Sequence, residues 1–237
     1  MGGSLLRSWI DSLWSKILSI FLFQKELSIA IIGLQNSGKT TLTHMLGGRP
    51  FEQDTVPTLG IQVSQFSLEN SLIKVYDLGG QTRFQSLWER CFSKVDLIIY
   101  MIDLSDTMTL DESFEKLSKV MQMTQEDRIP MLVIGNKIDL IQEPKEKQTI
   151  ATIPTYNYDS SERLRIDSTN AHLLKNADVL TRQVGVDLKN RQLHIPLRSS
   201  ESQGIDVLPL NRDIAVFTMS CRNGLCISNV IDWIVQL

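Results

Sequence analysis

Gly33-Leu34-Gln35-Asn36-Ser37-Gly38-Lys39-Thr40 decides the fold. It follows a short apolar run, Leu27–Ile32, and opens a stretch, Lys39–Leu46, that reads as a helix stopped by Gly47-Gly48. Strand, glycine-bounded loop and helix in that order make a phosphate cradle. The backbone N–H groups of the loop, Gln35 to Thr41, converge with the helix N-terminus, where partial positive charge accumulates. Lys39 supplies a point charge for β- and γ-phosphates, and the Thr40 hydroxyl is placed to ligate Mg²⁺. Taken alone, the motif says only that a nucleoside triphosphate binds.

Asn136-Lys137-Ile138-Asp139 selects the base. A carboxylate at Asp139 can accept hydrogen bonds from the N1–H and N2–H₂ of guanine, and adenine presents no such donor pair. The Lys137 stem can lie along the base, and Asn136 can tie neighbouring loops together. Ser220-Cys221-Arg222, after a later strand, is placed to touch the base oxygen through backbone N–H groups. A buried thiol with no further role is the plainer reading of Cys221.

Asp77-Leu78-Gly79-Gly80-Gln81 closes a hairpin strand. Asp77 can reach Mg²⁺ through water, the Gly80 N–H can bond the γ-phosphate, and Gln81 can orient the attacking water. Thr58 is the candidate second protein ligand of Mg²⁺. The alternative for Gly79-Gly80 is a mere tight turn, which explains neither the Asp before it nor the Gln after it.

Working outward, Ile61–Leu68 and Leu72–Tyr76 flank Glu69-Asn70-Ser71 as a hairpin. Val95–Ile102 and Met131–Ile134 are further apolar runs, with a helical stretch Leu110–Met123 between them. Ile214–Met219 reads as a strand and Ile227–Val235 as a closing helix with Val230, Ile231 and Ile234 on one face. Alternating strands and helices predict an α/β fold, a mostly parallel sheet covered on both faces. Residues from about 146 to 208 break the pattern. They are rich in Ser, Thr, Asn and Gln, with Pro154 and Pro196 as breakers, and read as a largely flexible insertion in which 172–188 forms at most a marginal helix. The domain division expected is a helix over 1–24 and one catalytic domain over 25–237 interrupted by that insertion.

Hydrophobic content of 42% is enough for a real core. A net charge of −3 argues against nucleic acid, which wants a basic surface. Cys91, Cys221 and Cys226 match no metal spacing and no disulfide framework, so a reducing compartment is expected. At the N-terminus Leu5, Leu6, Trp9, Ile10, Leu13, Trp14, Ile17 and Leu18 recur at helical spacing, with polar residues on the other face. Asp11 and Lys16 interrupt a run that would need about 20 apolar residues to span a bilayer. The helix lies on a membrane surface or docks on the protein's own body.

Together Gly33–Thr40, Val56-Pro57-Thr58, Asp77–Gln81 and Asn136–Asp139 resemble the Arf family of small GTPases. Trp88-Glu89-Arg90 and Tyr100-Met101-Ile102-Asp103 resemble its Arf-like branch that works on lysosomes. The resemblance implies a P-loop fold with a six-stranded sheet, bound GTP or GDP with Mg²⁺, and phosphate contacts from Gln35, Asn36, Ser37, Gly38, Lys39, Thr40 and Thr41. It also implies slow GTP hydrolysis through Gln81. Metal contacts fall on Thr40, Thr58 and, through water, Asp77; base contacts fall on Asn136, Lys137 and Asp139. A monomer is implied that meets effectors, an exchange factor and a GTPase-activating protein. So is a cytoplasmic protein peripheral on lysosomal or late endosomal membranes, in organelle positioning or vesicle trafficking. The family's switch aromatics are replaced by Ile61, Tyr76 and Cys91, and Leu6 departs from the myristoylation motif. No arginine lies between Thr55 and Thr58, so hydrolysis awaits a partner's cation. Two other readings differ by class: a GTP-binding scaffold with little hydrolysis, disfavoured by Gln81, and a P-loop kinase or ATPase, disfavoured by Asn136 and Asp139.

Overall fold

The computed structural model describes residues 25–141, 185–187, 192–199, 202–209 and 212–237, the three middle segments as backbone only. The helix expected over residues 1–24 lies outside the described residues.

Four strands carry the centre of the sheet: β1 (Lys25–Gly33), β3 (Ser71–Leu78), β4 (Leu97–Asp103) and β5 (Met131–Asn136). In β4 and β5 every residue is buried, because both faces of the sheet are covered there. In β4, Ile98, Tyr100 and Ile102 join one core layer, and Leu97, Ile99 and Met101 join the other. Four helices close these layers. On one face lie α2 (Ser86–Phe92) and α3 (Leu110–Met123), through Trp88, Phe92, Phe114 and Leu117. On the other lie α1 (Lys39–Leu46) and α4 (Ile227–Val235), through Leu42, Leu46, Val230, Trp233 and Ile234. Val230 and Ile234 are buried as expected, Trp233 is buried with them, and Ile231, expected on the same face, is only partly buried.

The sheet has six strands in the order β2-β3-β1-β4-β5-β9, where β2 is Ile61–Leu68 and β9 is Ile214–Thr218. Only the β2–β3 pair is antiparallel; it turns at Glu69-Asn70, where Glu69 adopts φ 50°. The register aligns the C-terminal ends of the parallel strands. Ile31 lies opposite Asp77, Asp103 opposite Asn136, and Gly135 opposite Thr218. Loops leaving these ends form one rim, the place where open parallel sheets bind ligands.

The expectation of an unstructured insertion needs correction between residues 185 and 209. There a second sheet runs β6 (Gly185–Asp187), β7 (Gln192–Ser199) and β8 (Ser202–Pro209), antiparallel throughout. Residues 185–187 are therefore strand, not the end of a helix. Polar composition hid a period-two pattern, Leu193, Ile195 and Leu197 alternating with polar residues and Pro196. Pro196 is compatible with the strand because it lies beyond His194, the last residue that β6 pairs with. The remainder of the expected insertion lies outside the described residues. Where the chain rejoins β9, Arg212 bonds to the end of α3: its guanidinium donates to Thr124 Oγ1 at 2.6 Å and to the Met121 carbonyl at 3.1 Å. A cation there meets carbonyls that the helix leaves unpaired.

Candidate nucleotide site

The phosphate loop leaves β1 and enters α1, with the Ser37 N–H reaching back to the Leu34 carbonyl at 3.4 Å. Gly38, the residue capping α1, has no side chain to bond the first helical N–H groups, and no acid stands in the first turn. Its φ of 95° is left-handed, and a Cβ there would run into the Asn136 side-chain amide. Ser37 and Lys39 are buried, and Gln35 and Asn36 are exposed at the loop's tip. Lys39 Nζ donates to the Leu34 carbonyl at 2.7 Å and lies 3.5 Å from Ser37 Oγ. Burial pushes this ammonium down to about 8, with the Asp77 charge pulling the other way.

Thr40, Thr58 and Asp77 meet beside it. Thr40 Oγ1 donates to Asp77 Oδ2 at 2.6 Å, Thr58 Oγ1 donates to the same oxygen at 3.1 Å, and the two hydroxyls lie 2.9 Å apart. Asp77 Oδ1 is buried with no hydrogen-bond partner among the described residues. Burial raises the Asp77 pKa above the usual carboxylate value, against the Thr40 and Thr58 hydrogen bonds and the Lys39 charge. Gly79 is tied to the Gly60 carbonyl at 2.8 Å. Gly80 rests on the phosphate loop so closely that a Cβ would lie 2.5 Å from the Gln35 nitrogen. Gln81 follows at the cavity's edge, its Oε1 accepting from Arg83 Nε at 2.9 Å.

Three loops interlock on the wall formed by Asn136, Lys137, Asp139 and Cys221. Asn136 Nδ2 donates to the Ser37 carbonyl at 2.9 Å, and Asn136 Oδ1 accepts from the Cys221 N–H at 3.1 Å. Ser220 Oγ donates to Asp139 Oδ1 at 2.6 Å. Lys137, at φ 63°, pairs with Asp103. Here one sequence expectation changes. The Cys221 N–H is taken by the Asn136 amide and so does not face the cavity as a free donor; Arg222, one residue on, is exposed at the rim. Burial pushes the Cys221 thiol up to about 12, which keeps it neutral.

All these groups border one cavity of about 510 Å³. Gln35, Asn36, Gly38, Lys39, Thr40 and Thr41 line its floor; Thr58, Gly80 and Gln81 line one wall; Asn136, Lys137, Asp139, Cys221 and Arg222 line the other. Ser37, Asp77 and Ser220 stand behind the lining, bonded to residues in it. The sequence reading missed Asp103, Phe51 and Gln53. An acid ending a buried strand was the available signal for Asp103; Phe51 and Gln53 lie in an irregular stretch with no pattern to read. Among the described residues, no group of His, Cys, Asp or Glu forms a metal cluster, and no helix is long and apolar enough to cross a membrane.

Comparison with known proteins gives the family and the fold. Residues 13–176 match the model of the ADP-ribosylation factor family. ADP-ribosylation factor-like protein 8b of Arabidopsis thaliana is 31% identical over 226 residues, 95% of each chain. Protein 8d of the same plant is 40% identical over 116 residues, 49% of this chain and 66% of the relative. Among solved structures, the Arl6 BBS3 small GTPase from Trypanosoma brucei with bound GppNp shares the fold. Its TM-score is 0.54 at 20% identity, over 90% of this chain and 96% of that one. The chain belongs to the ADP-ribosylation factor family, as an Arf-like small GTPase.

Proposed function

We propose that the chain is a GTP- and GDP-regulated switch whose nucleotide state decides whether it sits on a membrane and recruits effectors. One observation carries the reading. Thr40 from the phosphate loop, Thr58 from the exposed arm and Asp77 from the end of β3 share hydrogen bonds, so phosphate contacts and the β2–β3 hairpin cannot move independently. A ligand that binds one arrangement better shifts the hairpin with it.

The donor set fits Mg²⁺: two hydroxyls and a buried carboxylate with one unpartnered oxygen suit a hard cation. Thr40 and Thr58 would hold it directly and Asp77 through water. Bound there, Mg²⁺ supplies charge neutralisation on the β- and γ-phosphate oxygens. Gln35 to Thr41 cradle the phosphates, Lys39 meets the β- and γ-oxygens, and the Gly80 N–H bonds the γ-phosphate. Asp139 reads the guanine edge while Asn136 holds the loops in place, and the exposed Arg222 N–H is the remaining donor for the base oxygen. Gln81 orients the attacking water, once it leaves Arg83, and a partner's cation completes the site.

The N-terminal stripe of Trp9, Leu13, Trp14 and their neighbours links the switch to a membrane. Each large apolar side chain is worth roughly 1.5–3 kcal/mol when buried, so the stripe needs a protein groove in one state or lipid in the other. Likeness to the lysosomal Arf-like branch favours lysosomal or late endosomal membranes, in organelle positioning or vesicle trafficking. Liposome sedimentation tests the coupling. The form loaded with a non-hydrolysable GTP analogue should pellet with vesicles several-fold more than the GDP form, and Trp9→Glu with Leu13→Glu should abolish the difference while nucleotide binding stays. Equal pelleting in both states would sink it.

A further inference from the structure

Asp103, one half of a largely buried ion pair beside the cavity, has no role in the nucleotide reading. Lys137 Nζ lies 2.7 Å from Asp103 Oδ2, with the side chains 22% and 8% exposed. Asp103 ends β4 in register with Asn136 at the end of β5, so its carboxylate reaches the residue after Asn136 across a single inter-strand step. Its other oxygen is already held, accepting from the Ser105 N–H at 3.0 Å and from Ser105 Oγ at 2.6 Å. The carboxylate is therefore fixed before Lys137 meets it. Lys137 borders the cavity and Asp103 does not.

Stability alone is a poor reason for such a pair. Desolvating two charges offsets most of their attraction, and an apolar pair of similar volume would often hold the fold as well. What the pair does achieve is conformational. A lysine side chain has four flexible torsions, and a non-glycine residue at φ 63° is held by its surroundings. With the backbone fixed at one end and the ammonium at the other, the methylenes between have one course to follow, along the cavity wall.

We propose that Asp103 is a positioning residue for the base: it anchors the Lys137 ammonium so that the lysine stem forms a fixed apolar wall for the flat face of the purine. The inference rests on the assignment of this side of the cavity to guanine. It separates two tasks. Asp139 reads the base edge and discriminates between bases; Asp103, acting through Lys137 on the face, holds any purine equally.

A double-mutant cycle on the full-length protein tests this. Fluorescent methylanthraniloyl-GDP and the corresponding IDP, which lacks the 2-amino group, are loaded and chased with excess unlabelled GDP. Asp103→Asn, which keeps the shape and the Ser105 contacts, should speed release of both nucleotides by about tenfold, the middle of the range for contacting side chains. The ratio between GDP and IDP should not change. In a Lys137→Met background, which keeps an apolar stem and has no ammonium to anchor, the same substitution should alter release by less than about twofold. An equal effect in both backgrounds would overturn the proposal, and so would a changed GDP-to-IDP ratio, which would put Asp103 on the base edge. Thermal midpoints run alongside distinguish a fold defect, which would appear in both backgrounds. Should Asp103→Asn not fold, Asp103→Glu, with the charge one methylene further out, must show the same coupling or the proposal fails. Wild-type protein that releases GDP and IDP alike would instead overturn the reading of Asp139, and the cycle would still decide the role of Asp103.

Discussion

On the base side of the cavity each loop is bonded to another. Asn136 links the phosphate loop to Cys221, Asp139 is held by Ser220, and Lys137 by Asp103. The opposite side is made differently. From Pro50 to Leu59 the chain has no regular structure, and Val56 and Leu59 are 83% and 71% exposed. Among the described residues of that arm, Thr58 alone makes side-chain hydrogen bonds, and both go to the metal-type cluster. One side is held loop to loop by the protein's own groups. The other is held by few of them, so a ligand that binds one of its arrangements better can shift it, which is the property a switch needs and a rigid pocket lacks.

The largest effect should come from breaking the prebuilt side. Asp139→Asn keeps an oxygen for Ser220 but presents a mixed donor and acceptor to the base. It should shift preference from GTP towards XTP by about 10⁴-fold, because a site built to pair with specific polar groups rejects their absence strongly. Competition binding measures this, and a variant that still preferred GTP widely would move base recognition elsewhere. A smaller effect, on the opposite wall, is expected from Gln81→Leu. Nucleotide affinity should hold while turnover stimulated by a cell extract falls by about 10²–10³-fold. Single-turnover assays with and without extract decide it; equal stimulated rates would remove Gln81 from the mechanism.

The smallest effect sharpens the comparison at the floor both sides share. Burial holds the Lys39 ammonium at about 8, below its ordinary 10.5. The unfolded chain then binds this proton more tightly than the folded one. In nucleotide-free protein the penalty is complete below pH 8 and fades as pH rises towards 10.5, with an upper bound on the order of 3 kcal/mol. Thermal midpoints of nucleotide-free wild type and Lys39→Met should therefore differ most near pH 7 and draw steadily together between pH 8 and 10.5. A gap independent of pH would mean that the ammonium is not desolvated.

Much of this was legible in the sequence for a physical reason: buried parallel strands are apolar on both faces, so they stand out as runs. The bounds of β2, α1, α3 and α4 agree with the expected ones. The residues proposed to bind nucleotide were legible as motifs at strand ends, because phosphate and guanine demand particular groups in a particular order. Short α2 went unread although Trp88, Cys91 and Phe92 have helical spacing; seven residues hold too few turns for periodicity to show. Strands β7 and β8 went unread because their composition is that of a solvated loop. Asp103 was visible as a residue and invisible as a partner, since its pairing with Lys137 exists only through the β4–β5 register.

Arg212 closes the chain's long excursion between β5 and β9. Its guanidinium fastens the returning strand to the last turn of α3 immediately before β9 begins. In mechanical terms it is a strain relief. Load that reaches Arg212 along the chain passes to a helix end at the opposite end of the sheet from the cavity, and not along β9 to Ser220 and Cys221.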